Sequence, residues 1–283
     1  MPGWRASRQD GFALVAVLWA AMMLAIIIAS LMTSARTETL IARNRLRTAA
    51  IEASLDAAMN EALLRMVNPD PLIEPPTDGT EFETQFAGIP VRLSVQDEAG
   101  KIDLNNGDGA LLMLLLRAVG LPPTDAQALS ERIQDWRQRG GALHRLEGAG
   151  EDQYRDAGLP YGPRRGPFQT IEELRLVLGM DPALFRRIAP SLSVVSGTPW
   201  VDPSYSGADV LMALSNLDEA MARQRLAARV AARPPGIVAG HAFTITAEAE
   251  ANGVRMVKRA MVRLTGKPDR PYWIYSWDRI AAP

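Results

Sequence analysis

Phe12 to Met32 reads FALVAVLWAAMMLAIIIASLM, a run without a charge, a proline or a glycine. A helix crosses the hydrocarbon core of a bilayer with about 20 apolar residues, so this run is long enough to span one. Its aliphatic side chains each favour insertion, and nothing ionised opposes them. The helical pattern then continues. No Gly or Pro occurs from Phe12 to Val67, and Leu40, Ile51, Leu55, Met59, Leu63 and Met66 recur at helical spacing among Arg and Glu. At 1.5 Å per residue such a rod would be roughly 84 Å long. The pattern predicts one stem helix over 12–67, membrane-spanning over 12–32 and amphipathic beyond.

Ahead of the stem lies MPGWRASRQDG, ending in Gly11. Arg8-Gln9-Asp10-Gly11-Phe12 resembles a prepilin signal, in which a prepilin peptidase cuts after the Gly and methylates the new N-terminal residue. The resemblance implies cleavage between Gly11 and Phe12, N-methylation of Phe12, and a leader of residues 1–11. A secretory signal is cut after its apolar segment; here the cut would precede that segment, which stays in the mature chain. A plain signal anchor is the alternative. Pilins usually carry Glu five residues into the mature chain, and here that position is Ala16. A charge left unpaired in lipid is costly, so a subunit with no neighbour ahead of it gains by losing that Glu. In the type II secretion family the K-type minor pseudopilin (GspK), placed at the filament tip, characteristically lacks it.

The 283 residues can hold a stem plus one or two compact domains. A formal charge of −1 predicts no bulk attraction to nucleic acid or anionic lipid. The absence of Cys excludes a disulfide framework and a thiolate site, and two His, His144 and His241, are too few for a His-rich metal centre. Charge alone misleads on orientation. Arg36, Arg43, Arg45 and Arg47 follow the apolar run while Arg5 and Arg8 precede it, so a positive-inside count would put the body in the cytoplasm. Prepilin peptidases act on the cytoplasmic face, so the resemblance implies a periplasmic body and a single-pass inner-membrane stem.

Asn68 to Thr80, NPDPLIEPPTDGT, ends the stem with four prolines. Val91, Leu93 and Val95 then alternate with polar residues as in a half-buried strand. Residues 243–250 alternate again, Asn252-Gly253 signals a hairpin, and Val254 to Leu264 return as the next strand. A last strand carries Trp273, Tyr275 and Trp277, expected on one side and in the sheet core. The long gap between early and late strands, filled by helical pattern, implies an insert. The expected fold is α+β: a pilin-like N-terminal helix packed on a small antiparallel sheet formed by 68–97 and 237–283, with a helical insert over 98–236.

Such an insert sets K-type pseudopilins apart from their smaller relatives, and local matches run through it. Asp97 to Asn105, DEAGKIDLN, resembles the family's DExGKINLN, with Asp103 where Asn is usual. Ile133-Gln134-Asp135-Trp136 resembles a helix ending in DW, Gly150 to Tyr154 resembles GAEDxY, and Tyr161 through Pro167 with Glu173 to Met180 resembles YxPxNxP…ELxxVxGM. The sequence resembles a type II secretion system minor pseudopilin of the K type across nearly its whole length.

That resemblance implies no catalytic role, and no HExxH, GxSxG or P-loop is present. It implies I- and J-type minor pseudopilins as partners, a place at the pseudopilus tip, and support for export of folded proteins. Leu40, Ile51, Leu55, Met59 and Leu63 are the expected partner-binding stripe, so that a charge at Leu55 or Met59 would impair co-purification and leave the body folded. K-type pseudopilins hold calcium in the insert, where Glu151, Asp152 and Asp135 are candidate ligands. The family's acidic run after DW is replaced by Arg137-Gln138-Arg139-Gly140-Gly141, and a solvated loop is the other reading of those acids. Three turns, at 118–123, 178–182 and 214–219, resemble helix-hairpin-helix units, which leaves a membrane-anchored DNA-binding protein as the alternative function. Pro122 removes a donor there, and Asp181 and Asp218 would repel phosphate, so no nucleic acid is expected.

Overall fold

The computed structural model describes residues 10–68, 70, 72–139, 148–231, 236–251 and 253–280. Leader residues 1–9, His144, Asn252 and the Gly140-Gly141 end of the basic segment lie outside them. The chain divides into two compact units, 1–53 and 54–283. Helix α1 (Asp10–Val67) begins in the first and ends in the second. Within the first unit, every side chain from Leu14 to Met32 is exposed, including Leu18 and Trp19. Gly11 and Phe12 belong to the first turn of the helix.

In the second unit, β1 (Asp78–Phe86) and β2 (Ile89–Asp97) form a hairpin closed by Ala87-Gly88, with φ of 49° and 79°. Positive φ at both central residues is the type I′ geometry that matches strand twist. The insert follows as β3 (Ile102–Asp103), α2 (Gly109–Ala118), α3 (Pro123–Arg137), α4 (Glu151–Asp156), α5 (Pro182–Ile188), β4 (Leu192–Ser193), α6 (Ala208–Leu214) and α7 (Glu219–Ala231). The chain ends in three long strands, β5 (Ala242–Ala251), β6 (Val254–Lys267) and β7 (Arg270–Ile280). The sheet order is β1-β2-β5-β6-β7, antiparallel throughout, so the insert leaves from a central strand and returns to its neighbour.

One face of this sheet is apolar and buried: Val91, Leu93 and Val95 on β2, Phe243, Ile245 and Ala247 on β5, Ala260 and Val262 on β6. The C-terminal turns of α1 lie on it. Leu55, Ala58, Met59, Ala62, Leu63 and Met66 are all buried, at the i, i+3, i+4 spacing that makes one helix face. Polar bonds pin the helix on both sides of that stripe. Ser54 Oγ donates to the Phe86 carbonyl at 3.2 Å and Thr84 Oγ1 to Glu61 at 3.1 Å. Across the sheet, Lys258 Nζ donates to both oxygens of Asp56, at 2.8 and 2.9 Å, and Trp277 Nε1 to Asp56 Oδ1 at 2.9 Å.

One strand adds to the expected sheet and one expectation is corrected. An additional strand, β1, occupies the sheet edge; its sequence DGTEFETQF is polar because both its faces are largely open. The aromatic residues of β7 do not share a side. Met261 pairs with Ser276 but Val262 pairs with Ile274, so Tyr275 is an extra residue and the alternation reverses across it. Trp277 therefore faces α1, while Trp273 and Tyr275 stand half-exposed under Arg270 and Arg263.

The insert has its own core, built from Leu112, Leu115 and Leu116 of α2, Ile133 and Trp136 of α3, Tyr154, Phe168 and Ile188. β3 and β4 pair in parallel, Ile102 with Leu192 and Asp103 with Ser193, which returns the chain to the start of the insert after α5. Helix α6 packs on α2, and α7 folds back on α6 through Asn216 and Leu217, both at positive φ.

Candidate functional site

The apolar stem and the insert are the two candidate functional regions. The expected partner-binding residues separate into different environments. Leu40 is 60% exposed, between Arg36 and Arg43. Ile51 stands in the last turn of the first unit. Leu55, Met59 and Leu63 are at most 2% exposed, which corrects their assignment to a partner surface. Their helical periodicity is real, but the face it marks is covered by the chain's own sheet. Burial of each such side chain stabilises the body by about 1.5–3 kcal/mol.

Where the insert leaves and rejoins the sheet, the residues of DEAGK acquire definite roles. Asp97 ends β2 fully buried; its Oδ1 accepts the Ala99 N–H at 2.8 Å and its Oδ2 the Nδ1–H of His241, also at 2.8 Å. Burial pushes the Asp97 carboxyl above its ordinary value, against the His241 hydrogen bond that pulls it down. Glu98, equally buried, accepts from Lys101 Nζ and from Thr244 Oγ1, each at 2.6 Å. Exit and return strands are thus joined by the Asp97–His241 and Glu98–Thr244 hydrogen bonds, with Tyr205 edge-on to His241. His241, one of two His in the chain, was the available signal for this neck.

Asp103 is 1% exposed and accepts four hydrogen bonds of 2.7–2.9 Å. Its Oδ1 takes the N–H groups of Asn105 (2.7 Å) and Asn106 (2.9 Å); its Oδ2 takes the Ser196 hydroxyl and the Gly197 N–H, both at 2.8 Å. It therefore ties the turn before α2 to the segment after β4.

The motif aromatics converge. Trp136 lies 6.2 Å from Tyr154 and 6.1 Å from Phe168, and Tyr154 lies 5.9 Å from Tyr161, between ring centroids. The Tyr154 hydroxyl accepts the Leu178 N–H at 3.0 Å, and desolvation pushes its pKa up to about 12. The ELRLVLGM stretch is thereby fastened to α4, although 171–176 is a 3-10 helix rather than an α-helix.

The candidate calcium ligands do not come together. Glu151 and Asp152 open α4 and are exposed; Glu151 accepts from Arg165 at 3.2 Å and Asp152 from Arg155 at 2.7 Å. Asp135 is buried in α3 beside Trp136. Calcium needs six to eight converging oxygens. Among the described residues no group of three His, Cys, Asp or Glu side chains could hold a metal ion, so those residues do not fit a calcium cage.

At the hairpins, the N–H groups that a phosphate would need are already engaged. Asp181 accepts from Ala183 and Leu184 at the start of α5, and Asp218 accepts from Met221 at the start of α7. These turns act as helix caps within the fold. Gly120 and Gly179, at φ of 98° and 87°, allow the reversals.

Comparison with known proteins agrees with this construction. Residues 93–197, from β2 to just past β4, match the family model described as type II secretion system (T2SS), protein K. A relative is the type II secretion system protein K of Pseudomonas aeruginosa, 24% identical over 159 residues. That alignment takes in 53% of this chain and 47% of the relative, so the match spans about half the relative's length. Among solved structures, the fold resembles a chain of the GspK-GspI-GspJ complex from the enterotoxigenic Escherichia coli type 2 secretion system. The TM-score is 0.57 at 14% identity, covering 87% of this chain and 100% of that one. At that identity the likeness is one of fold. The matched segment contains the DEAGKIDLN, DW and ELRLVLGM stretches and sits within that fold, so the chain is similar to protein K of type II secretion systems over residues 93–197.

Proposed function

We propose that this chain is the K-type minor pseudopilin of a bacterial type II secretion system. In this reading it joins I- and J-type minor pseudopilins at the tip of the pseudopilus and so supports export of folded proteins. One observation carries it: an uncharged, exposed helical run over 14–32 continues, in a single α1, into a helix buried on a sheet that a protein K-type insert interrupts. Residues 12–32 anchor the protein in the inner membrane before assembly, with the body in the periplasm. A solved assembly of GspK with GspI and GspJ supports the choice of partners. Ala16 in place of the usual Glu suits a subunit with no neighbour ahead of it. The reading assigns no catalytic step to any residue.

Maturation is tested by intact mass of the chain expressed with and without a prepilin peptidase. The expected product lacks residues 1–11 and carries one methyl group on Phe12. A chain left uncut by an active peptidase would contradict the assignment of Gly11 and Phe12 and leave a signal-anchored protein.

A further inference from the structure

The turn before α2, the 161–173 segment and α4 meet beside the Trp136–Tyr154–Phe168 cluster, and three guanidiniums tie them. Arg137, immediately after Trp136, donates to the carbonyl oxygens of Leu104 at 2.6 Å and Gly107 at 2.8 Å, spanning the turn before α2. Arg164 donates to Glu173 Oε1 at 2.6 Å, and the same oxygen accepts the Gln169 N–H at 3.2 Å. Arg165 donates to Glu151 Oε1 at 3.2 Å, joining the 161–167 loop to α4.

Arg165 is also strained. Its φ is 57°, the left-handed region that Asn or Gly tolerates and a long side chain ordinarily avoids. Such a conformation persists where the surroundings over-determine it. Here the position also ties this loop to Glu151.

Carbonyl pairs and carboxylates brought together from separate loops are the donors that a calcium ion would otherwise gather. In this chain they meet fixed, permanently charged groups whose planar forks suit two acceptors at once. We propose that Arg137, Arg164 and Arg165 serve as the structural cations of the insert, so that its loops hold their fold without a divalent ion. The inference is independent of the secretion reading, since it concerns only how the insert is held.

A buried carboxylate oxygen stands against it. Glu173 Oε2 is buried and has no hydrogen-bond partner among the described residues, which leaves a donor that a metal ion could use. The test is therefore made with calcium itself. The full-length chain, in detergent, is melted by tryptophan fluorescence with excess EDTA and again with excess calcium chloride. The expected midpoints agree within about 2 °C; a larger fall in EDTA that calcium restores overturns the proposal. In parallel, Arg137→Lys and the double variant Arg164→Gln with Arg165→Asn are melted without metal. Lys cannot span two carbonyls and Gln carries no charge, so each is expected to melt about 3–6 °C lower. Midpoints equal to that of the unaltered chain would show that these arginines hold nothing, which overturns the proposal by a second route.

Discussion

A Leu55→Asp chain is expected to lose its folded body, while Leu40→Asp is expected to leave it intact. Leu55 is fully buried in the layer between α1 and the sheet, with Met59 and Leu63 in the same stripe. Truncating a buried Leu to Ala already costs about 2–5 kcal/mol. A carboxylate placed there has no partner, and its desolvation adds to that loss. The sum is comparable to the whole stability of an ordinary domain, about 5–15 kcal/mol. Leu40, at 60% exposure, has no such layer over it, and surface changes of this kind stay within about 0.5 kcal/mol. Urea unfolding followed by tryptophan fluorescence separates the two. Equal midpoints for both variants would remove the helix–sheet packing on which the fold description rests. Any loss of partner co-purification with Leu55→Asp therefore reports unfolding first; Leu40→Asp is the variant that asks about stem contacts.

The second large effect is expected at Asp103. Replacement by Ala would strand the N–H groups of Asn105, Asn106 and Gly197 and the hydroxyl of Ser196, all now bonded to one buried carboxylate. Each unsatisfied buried donor costs about 1–3 kcal/mol, so a loss of about 4 kcal/mol is expected after partial relaxation. Asp103→Asn, which keeps the shape and removes the charge, is the sharper experiment. An amide accepts through one oxygen only, so its NH2 group would face either the Asn105 and Asn106 pair or the Gly197 N–H. Ser196 can reverse its hydroxyl; a backbone N–H cannot. The expected loss is about 1–2 kcal/mol in the unfolding free energy from chemical denaturation. A neutral Asp103→Ala would show that β3 and the segment after β4 are held by packing alone.

The sequence was most legible where period and environment coincide. The apolar run over 12–32 has one reading at any spacing, and the alternation of Val91, Leu93 and Val95 and of the strands after 242 follows from one buried and one open face. β1 was not legible because an edge strand in this sheet needs no apolar face. The face of Leu55, Met59 and Leu63 was legible as apolar, but periodicity does not say whether the cover is a partner or the chain itself. The bulge at Tyr275 is a register event, visible only once β6 is paired with β7. Lys258 was in principle findable: it interrupts an apolar alternation between Met256 and Ala260, and a buried Lys requires an anion, which Asp56 provides.

The candidate site was legible as motifs but not as roles. The DEAGK segment reads as a match to a pattern; its meaning as a neck depends on His241 and Thr244, more than a hundred residues away along the chain. The acids expected to gather calcium were identified by type. Glu151 meets Arg165 of the 161–167 loop and Asp152 meets Arg155 within α4, pairings that exist only once those segments have folded.

The proposed K-type role with I- and J-type partners has one direct test. The full-length chain is co-expressed with the I- and J-type minor pseudopilins of its own secretion system, extracted in mild detergent, and isolated through a tag on the I-type protein. The account predicts that all three are recovered together and remain together through size-exclusion chromatography. Recovery of the I and J pair without this chain, under conditions where Trp fluorescence shows its body folded, would contradict it.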